Sequence, residues 1–404
     1  MKIYHSLSSL SCLVLTSALL FVPQVNANEF EISNRIGIEQ RLFTDDALLP
    51  TQLETSQTSV LFEPEIYWSW DSAHSVIFKP FVRYDAQDDE RTHFDIREFS
   101  HIYASDNWEI RSGIRKVYWG VTEFQHLVDV INQTDAVDSF DGEEKLGQLM
   151  VNLSLVKDWG IVDLYVLPGL RERTFAGEKG RLRIPYVVNT EHVTYESEDE
   201  DQHVDFAARW THTIGDMDIG AAWFHGTNRE PLLIPAIDGD EVVLRQYYQQ
   251  MDQISFDAQL IVEDWLWKLE AINRYTENDD FVALQTGFEV SFYGVYDSNA
   301  DLGLLMEYGW DSRDKEDTTS VFQNDILIGT RLAFNDVQST ELLAGLGYDL
   351  DYQSTSFLVE ANRRIGDSFT ASLDLRLFST DDIDDPLMAL EQDDHIQFSL
   401  EWFF

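Results

Sequence analysis

Cysteine is almost missing from this chain: Cys12 is the single one in 404 residues, and it lies in a stretch that reads as an export leader. A mature chain without it has no disulfide, no thiolate metal site and no thiol nucleophile. Positive charge is also scarce. Lys and Arg number 28 against 73 Asp and Glu, a net charge of -45, so nucleic acid, which needs a basic face, is excluded as a partner. Beyond the leader no apolar run is long enough for a membrane helix. Motifs of nucleophilic, zinc-dependent or phosphate chemistry are missing too: there is no Gly-x-Ser-x-Gly, His-Glu-x-x-His or Gly-x-x-x-x-Gly-Lys. The acid runs, among them Asp349–Asp351, do not fit an EF-hand loop, and no cofactor site is read. Histidines such as His101, His126, His203, His212, His225 and His395 are scattered over unrelated segments, so no catalytic pairing and no enzyme is expected.

What the chain does have begins at residue 1. Met1-Lys2 is a short basic start, residues 7–22 are apolar, and Val25-Asn26-Ala27 is a small-x-small cleavage pattern. The apolar stretch is short of the ~20 residues a spanning helix needs. Residues 1–27 are therefore expected to be a signal peptide and 28–404 the mature chain. Lys2 is the leader's only charge, so its removal takes the net charge from -45 to -46. With 13% aromatic and 44% hydrophobic residues, the acidity does not indicate disorder.

Segments of about ten residues with period-two alternation, separated by turn residues, follow one another along the mature chain. They cover 30–43, 60–70, 74–85, 94–104, 108–119, 148–156, 162–170, 203–212, 218–225, 254–263, 266–275, 282–292, 302–310, 325–334, 340–349, 357–364, 369–377 and 394–404. Tight links such as 71–73, 105–107, 157–160, 214–216 and 264–265 fall at every second junction, with mostly longer acidic segments between them. This pattern predicts an all-β, antiparallel up-and-down transmembrane barrel of eighteen strands, with sixteen as the second choice. A soluble sandwich would also alternate, but its exposed face would be polar. Here Trp68, Trp70, Tyr84, Trp108, Tyr118, Trp210, Trp223, Tyr308, Trp310 and Trp402 stand at strand ends on the apolar side, as in an interfacial aromatic girdle.

The last strand, Asp394 to Phe404, alternates Ile396, Phe398, Leu400, Trp402 and Phe404 and ends the chain on Phe. This resembles the terminal assembly signal of Gram-negative outer-membrane β-barrels. The resemblance implies residence in the outer membrane among lipid and lipopolysaccharide, and handling by the barrel-assembly machinery. On the polar side of the first five strands stand Arg35, Arg41, Lys79, Arg83, Arg97, Glu109, Arg111 and Arg115. The long segment after the fifth strand carries Glu123, Asp129, Asp135, Asp138, Asp141, Glu143 and Glu144 alongside the apolar Phe124, Leu127, Val128, Val130 and Ile131. It is similar to the third loop of porins, which folds into the lumen and sets acids against a basic ladder. Trp119-Gly120 with Val128-Asp129-Val130-Ile131-Asn132 also looks like a piece shared by several proteobacterial porin-like proteins.

On that likeness the pore wall is Lys79, Arg83, Arg97, Arg111 and Arg115, and the constriction is Glu123, Asp129, Asp135 and Asp138. The expected function is passive passage of small hydrophilic solutes, with charge across the narrow point setting selectivity. The alternatives are arginines that merely neutralise wall carboxylates, or a closed barrel that binds partners through residues 171–202 and 226–253. A homotrimer is left open. The inner face of the last strand, Gln397, Ser399 and Glu401, has no cation, so the basic patch is expected to be confined to the early strands.

Overall fold

A period-two strand satisfies its backbone through two neighbours and shows lipid only apolar side chains, provided the sheet closes on itself. The computed structural model of this chain, which describes residues 29–404 except 240 and 316–322, meets that condition with eighteen antiparallel strands in one closed sheet. The expected leader, with Cys12, lies outside the described residues. The wall comprises β1 (Glu29–Phe43), β2 (Ser56–Ser69), β3 (His74–Asp85), β4 (His93–Ala104), β5 (Trp108–Arg115), β6 (Gln148–Lys157) and β7 (Gly160–Pro168). After the smaller β8 (Val188–Tyr195) it continues with β9 (Val204–Ile214) and β10 (Met217–Thr227). A hairpin of β11 (Leu232–Asp238) and β12 (Glu241–Tyr248) precedes β13 (Gln250–Val262), β14 (Trp265–Thr276), β15 (Asp280–Phe292) and β16 (Asp301–Asp311). The wall ends with β17 (Asn324–Ala333), β18 (Glu341–Asp349), β19 (Thr355–Ile365), β20 (Phe369–Ser379) and β21 (His395–Phe403).

The eighteen predicted segments correspond one to one with the wall strands. β21 closes on β1 with Ile36 opposite Trp402 and Ile38 opposite Leu400. Phe404 extends the seam through two backbone hydrogen bonds with Asn34, 2.9 and 3.1 Å. Outside, Phe30, Ile32, Ile38, Ile254, Ile328, Phe398 and Leu400 are exposed, as a lipid-facing band requires. Aromatic rings pair along it: Trp68 with Trp70 at 5.1 Å and Trp265 with Trp267 at 5.7 Å.

Three features depart from the sequence reading. First, the fifth strand ends at Arg115 rather than Trp119, because the next amides bond to side chains of the inserted loop. Tyr118 consequently stands inside the barrel rather than in the outer girdle. Second, residues 171–202 and 226–253 are not merely loop: β11 pairs with β12, and β12 pairs in parallel with β8. Third, Pro64 and Pro80 interrupt the β2–β3 ladder, which has no rungs between Phe62–Val82 and Ile66–Phe78. Across Pro80 the register to β4 shifts so that Arg97 is the extra residue of a bulge. Prolines cannot donate to a ladder, and bulges re-aim side chains; here Arg97 turns into the lumen.

Candidate functional site in the lumen

Residues 116–147, the third outer loop, lie inside the barrel. An apolar run could not stay hydrated at a loop tip, and it is seated instead on the inner wall. Trp119, Val128, Val130 and Ile131 pack with Met150, Tyr165, Leu167, Phe224, Met251, Ile272 and Phe281. Ala207, Ala222 and Ala283 complete this core, their small side chains leaving room for the loop. The main apolar core therefore lies between loop and wall, on the half formed by β6 to β15.

Carboxylates then take the loop's backbone donors. Glu270 of β14, fully buried, accepts from the amides of Val121, Thr122 and Val128 at 2.6, 2.9 and 3.1 Å and from the Thr122 hydroxyl at 2.7 Å. Glu307 of β16 accepts from Glu123 and Phe124 at 2.7 and 3.2 Å. Within the loop, Asp129 caps the amides of Trp119 and Gly120, and Asn132 bonds the Val117 amide and the carbonyls of Arg115 and Leu146. Gly120 is needed at this bend, since a Cβ there would meet the His126 ring at 2.5 Å.

The other end of the loop reaches the basic strands. Asp138 lies 2.6 Å from Arg83 and also pairs with Arg97. Arg97 holds Glu144 at 2.8 Å and lies over the Phe81 ring, and Lys116 meets Glu144 at 2.9 Å. Glu39 bridges Arg83 and Arg91 at 2.5 and 2.9 Å. Arg83 and Arg97 are only 4% and 5% exposed, so these charges are in contact rather than opposed across water. The physical reason is that a buried guanidinium without a carboxylate is strongly unfavourable. Burial works against the charge of Asp138, and Arg83, Arg97 and Arg91 outweigh it, holding its carboxyl well below the usual range. Asp135 moves the other way, raised by burial and by Asp138. It is buried and accepts from the Thr174 hydroxyl at 2.9 Å.

Of the remaining sequence-expected wall residues, Lys79 pairs with Glu65 at 2.6 Å, Arg111 with Glu109 of its own strand, and Arg115 is buried beside Asn152. Glu123 faces away from the early strands, toward Arg331 of β17 at 2.5 Å and Lys268 of β14 at 3.6 Å. Arg376 of β20 joins Asp141, Glu360 and Asp374. The basic patch is thus not confined to the early strands. The sequence reading missed Lys268, Glu270, Glu307, Arg331 and Arg376. Alternation puts each of them on the inward face of its strand, but it does not indicate which partner each would meet.

Cavities remain on both sides of the loop. One, of about 670 Å³, lies on the long-loop side between the inserted loop and β17 to β20. Another, of about 560 Å³, lies on the short-turn side and is lined by Arg35, Glu63, Lys79, Lys116 and Phe403. Glu143 borders the first and Glu144 the second, so the segment around 141–144 divides them. Above, Arg181 straps the fourth outer loop across the mouth. It bonds Asp393 at 2.6 Å and the carbonyls of Asp45 and Glu54 at 2.9 and 2.7 Å.

His126 meets Glu143 at 3.3 Å. Hydrogen bonding to Glu143 raises its pKa to about 9 against opposing desolvation. For a group raised in the folded state, the stabilisation is complete below the unfolded value of ~6.5 and is lost as pH rises through about 9. An imidazole NMR titration in micelles is expected to show a midpoint near 9, falling toward ~6.5 in Glu143→Gln. An ordinary midpoint in the unmodified chain would show the tie to be absent.

No protein-family model and no curated protein matches this chain. Solved structures do. OccK3 (OpdO) of Pseudomonas aeruginosa is 7% identical, with 93% of this chain and 95% of that one covered at a TM-score of 0.52. OccAB3 of Acinetobacter baumannii is 8% identical, with 93% and 99% covered at 0.52. Wzi of Escherichia coli is an outer-membrane protein involved in group 1 capsule assembly and a carbohydrate-binding β-barrel. It is 9% identical, with 91% and 84% covered at 0.52. At these identities the likeness is one of fold: the chain has the fold of outer-membrane β-barrels.

Proposed function

We propose that this chain is an outer-membrane, non-enzymatic channel for the passive passage of small hydrophilic solutes. One observation carries the reading: the inserted loop fills only part of the lumen and leaves a cavity on each side of the 141–144 segment. An eighteen-strand wall encloses more than its own side chains fill, and the loop supplies the constriction that gives such a lumen selectivity. Solute passes Glu143 and Glu144 rather than a gap between Arg83 and Asp138, which is closed by contact. The first cavity is lined by seven acidic side chains against three arginines, so the channel prefers cations.

The test is single-channel recording in planar bilayers. Discrete steps with cation preference are expected, and the paired substitutions Asp141→Asn and Glu143→Gln should shift the reversal potential toward anions. A clean preparation that shows no steps would sink the reading.

A further inference from the structure

Most charges around the larger cavity are compensated. Arg376 has Asp141 and Glu360, Glu123 has Arg331, and Glu143 has His126. Three carboxylates in the same lining, Asp325, Asp349 and Asp385, have no Lys, Arg or His within ion-pair distance among the described residues. The sequence of residues 316–322, which lie outside the described residues, includes no basic side chain. Asp325 and Asp349 are direct cross-strand partners on the inner face of β17 and β18, where like charges repel. Asp385, at the start of the 3₁₀ turn Pro386–Leu390, is close enough to act on both electrostatically. All three are buried, at 4%, 6% and 6% exposure.

Their hydrogen bonds are partial. Asp349 Oδ1 accepts from the amides of Asp351 and Tyr352, Asp325 from those of Asn324 and Gln323, and Asp385 Oδ1 from that of Leu387. Asp385 Oδ2 is buried and has no hydrogen-bond partner among the described residues. Desolvated carboxylates without counter-charge are costly unless a proton or a cation joins them. Around them the cavity is apolar, with Leu327, Leu343, Phe357, Phe378, Leu387 and Leu390 in its lining.

We infer that this cavity is a binding site for an amphipathic organic cation: an ammonium group received by Asp325, Asp349 and Asp385, joined to an aromatic or aliphatic body lying on the leucine and phenylalanine wall. An ammonium presents three donors, and Asp325 and Asp349, opposite one another across β17 and β18, line this cavity together with Asp385. A metal ion is the weaker match, because no group of three or more His, Cys, Asp or Glu among the described residues is arranged to hold one. Apolar walls with a few convergent polar groups are what small-molecule sites provide. The inference deepens the channel reading by naming a solute class, and it rests on that reading only in that the cavity must open to solution.

The test is isothermal titration calorimetry of the full chain in detergent micelles with 2-phenylethylammonium, using phenylacetate and calcium as comparators. Binding of the amine, with phenylacetate silent, is expected. The isosteric double variant D325N/D349N should weaken it at least about tenfold, roughly the effect of one charge-assisted hydrogen bond. Heat-modifiable migration on SDS gels confirms that the variant is folded, and the amine-versus-acid comparison needs no variant. No amine binding, equal binding of phenylacetate, calcium displacing the amine, or undiminished affinity in the folded double variant would each overturn the inference. Bilayer recordings separate the two readings. An amine that binds a silent barrel supports this site against the channel. A conducting channel indifferent to the amine does the reverse.

Discussion

Glu270→Ala is expected to unseat the inserted loop while leaving the barrel closed. The carboxylate takes three backbone amides and one hydroxyl of the loop in a site with no solvent exposure. Truncation would leave those donors buried and unpaired, at about 1–3 kcal/mol for each orphaned group. Partial relaxation and water entry reduce the sum, so a loss of roughly 3–5 kcal/mol in loop docking is expected. The barrel loses little, because β14 keeps its full ladders to β13 and β15. Two readouts separate loop from wall. Limited proteolysis should cut within 121–144 in the variant and not in the parent, whereas heat-modifiable migration should be unchanged. Channel steps should become larger and noisier as the constriction leaves the lumen. A loop that stays protected with steps of the original size would show that Glu270 does not hold it.

The wall was far more legible in the sequence than the site, and the reason is geometric. Alternation states which face a side chain takes, and a closed barrel makes that single bit sufficient for its wall. Phe398, Leu400 and Trp402 could be assigned to lipid, and the seam at Phe404 to β1, without any distance. Depth and partner are a different kind of information. Arg83, Arg97 and Asp138 were recognisable as opposed charges, but nothing in their spacing distinguished a gap from a contact. The bulge opposite Pro80 puts both Arg97 and Glu98 on the lumen side, breaking within β4 the very period on which face assignment relies. Glu270 and Glu307 bind a loop nearly 150 or more residues earlier in the chain, and no local pattern encodes such a meeting. The parallel pairing of β8 with β12 is likewise a product of where the fourth and fifth loops are held, not of their own alternation.

Contact in place of a gap changes what Asp138→Asn should do. Were the carboxylate facing arginines across water, neutralising it would alter selectivity and leave stability almost untouched. Set between Arg83 at 2.6 Å and Arg97, it is instead a shared counter-charge for two buried guanidiniums. Glu39, Glu63 and Glu144 remain as partners, so the loss falls at the lower end for a broken buried pair, about 3 kcal/mol. It should appear as protease sensitivity near 138–144 and a lower unfolding midpoint, with ion preference nearly unchanged. The pH dependence follows from the lowered carboxyl. A depressed pKa contributes stability that is complete above the unfolded value of ~3.9 and is lost only as pH falls through the folded one. Asp135, shifted upward, takes its proton before Asp138 and so relieves its repulsion of Asp138 before acid breaks the clamp. The parent loop should therefore remain protected on acidification from pH 7 to about 4, while Asp138→Asn is sensitive throughout. A variant as protected as the parent at neutral pH, but with altered selectivity, would restore the open-gap arrangement and with it a transverse field between the arginines and the loop.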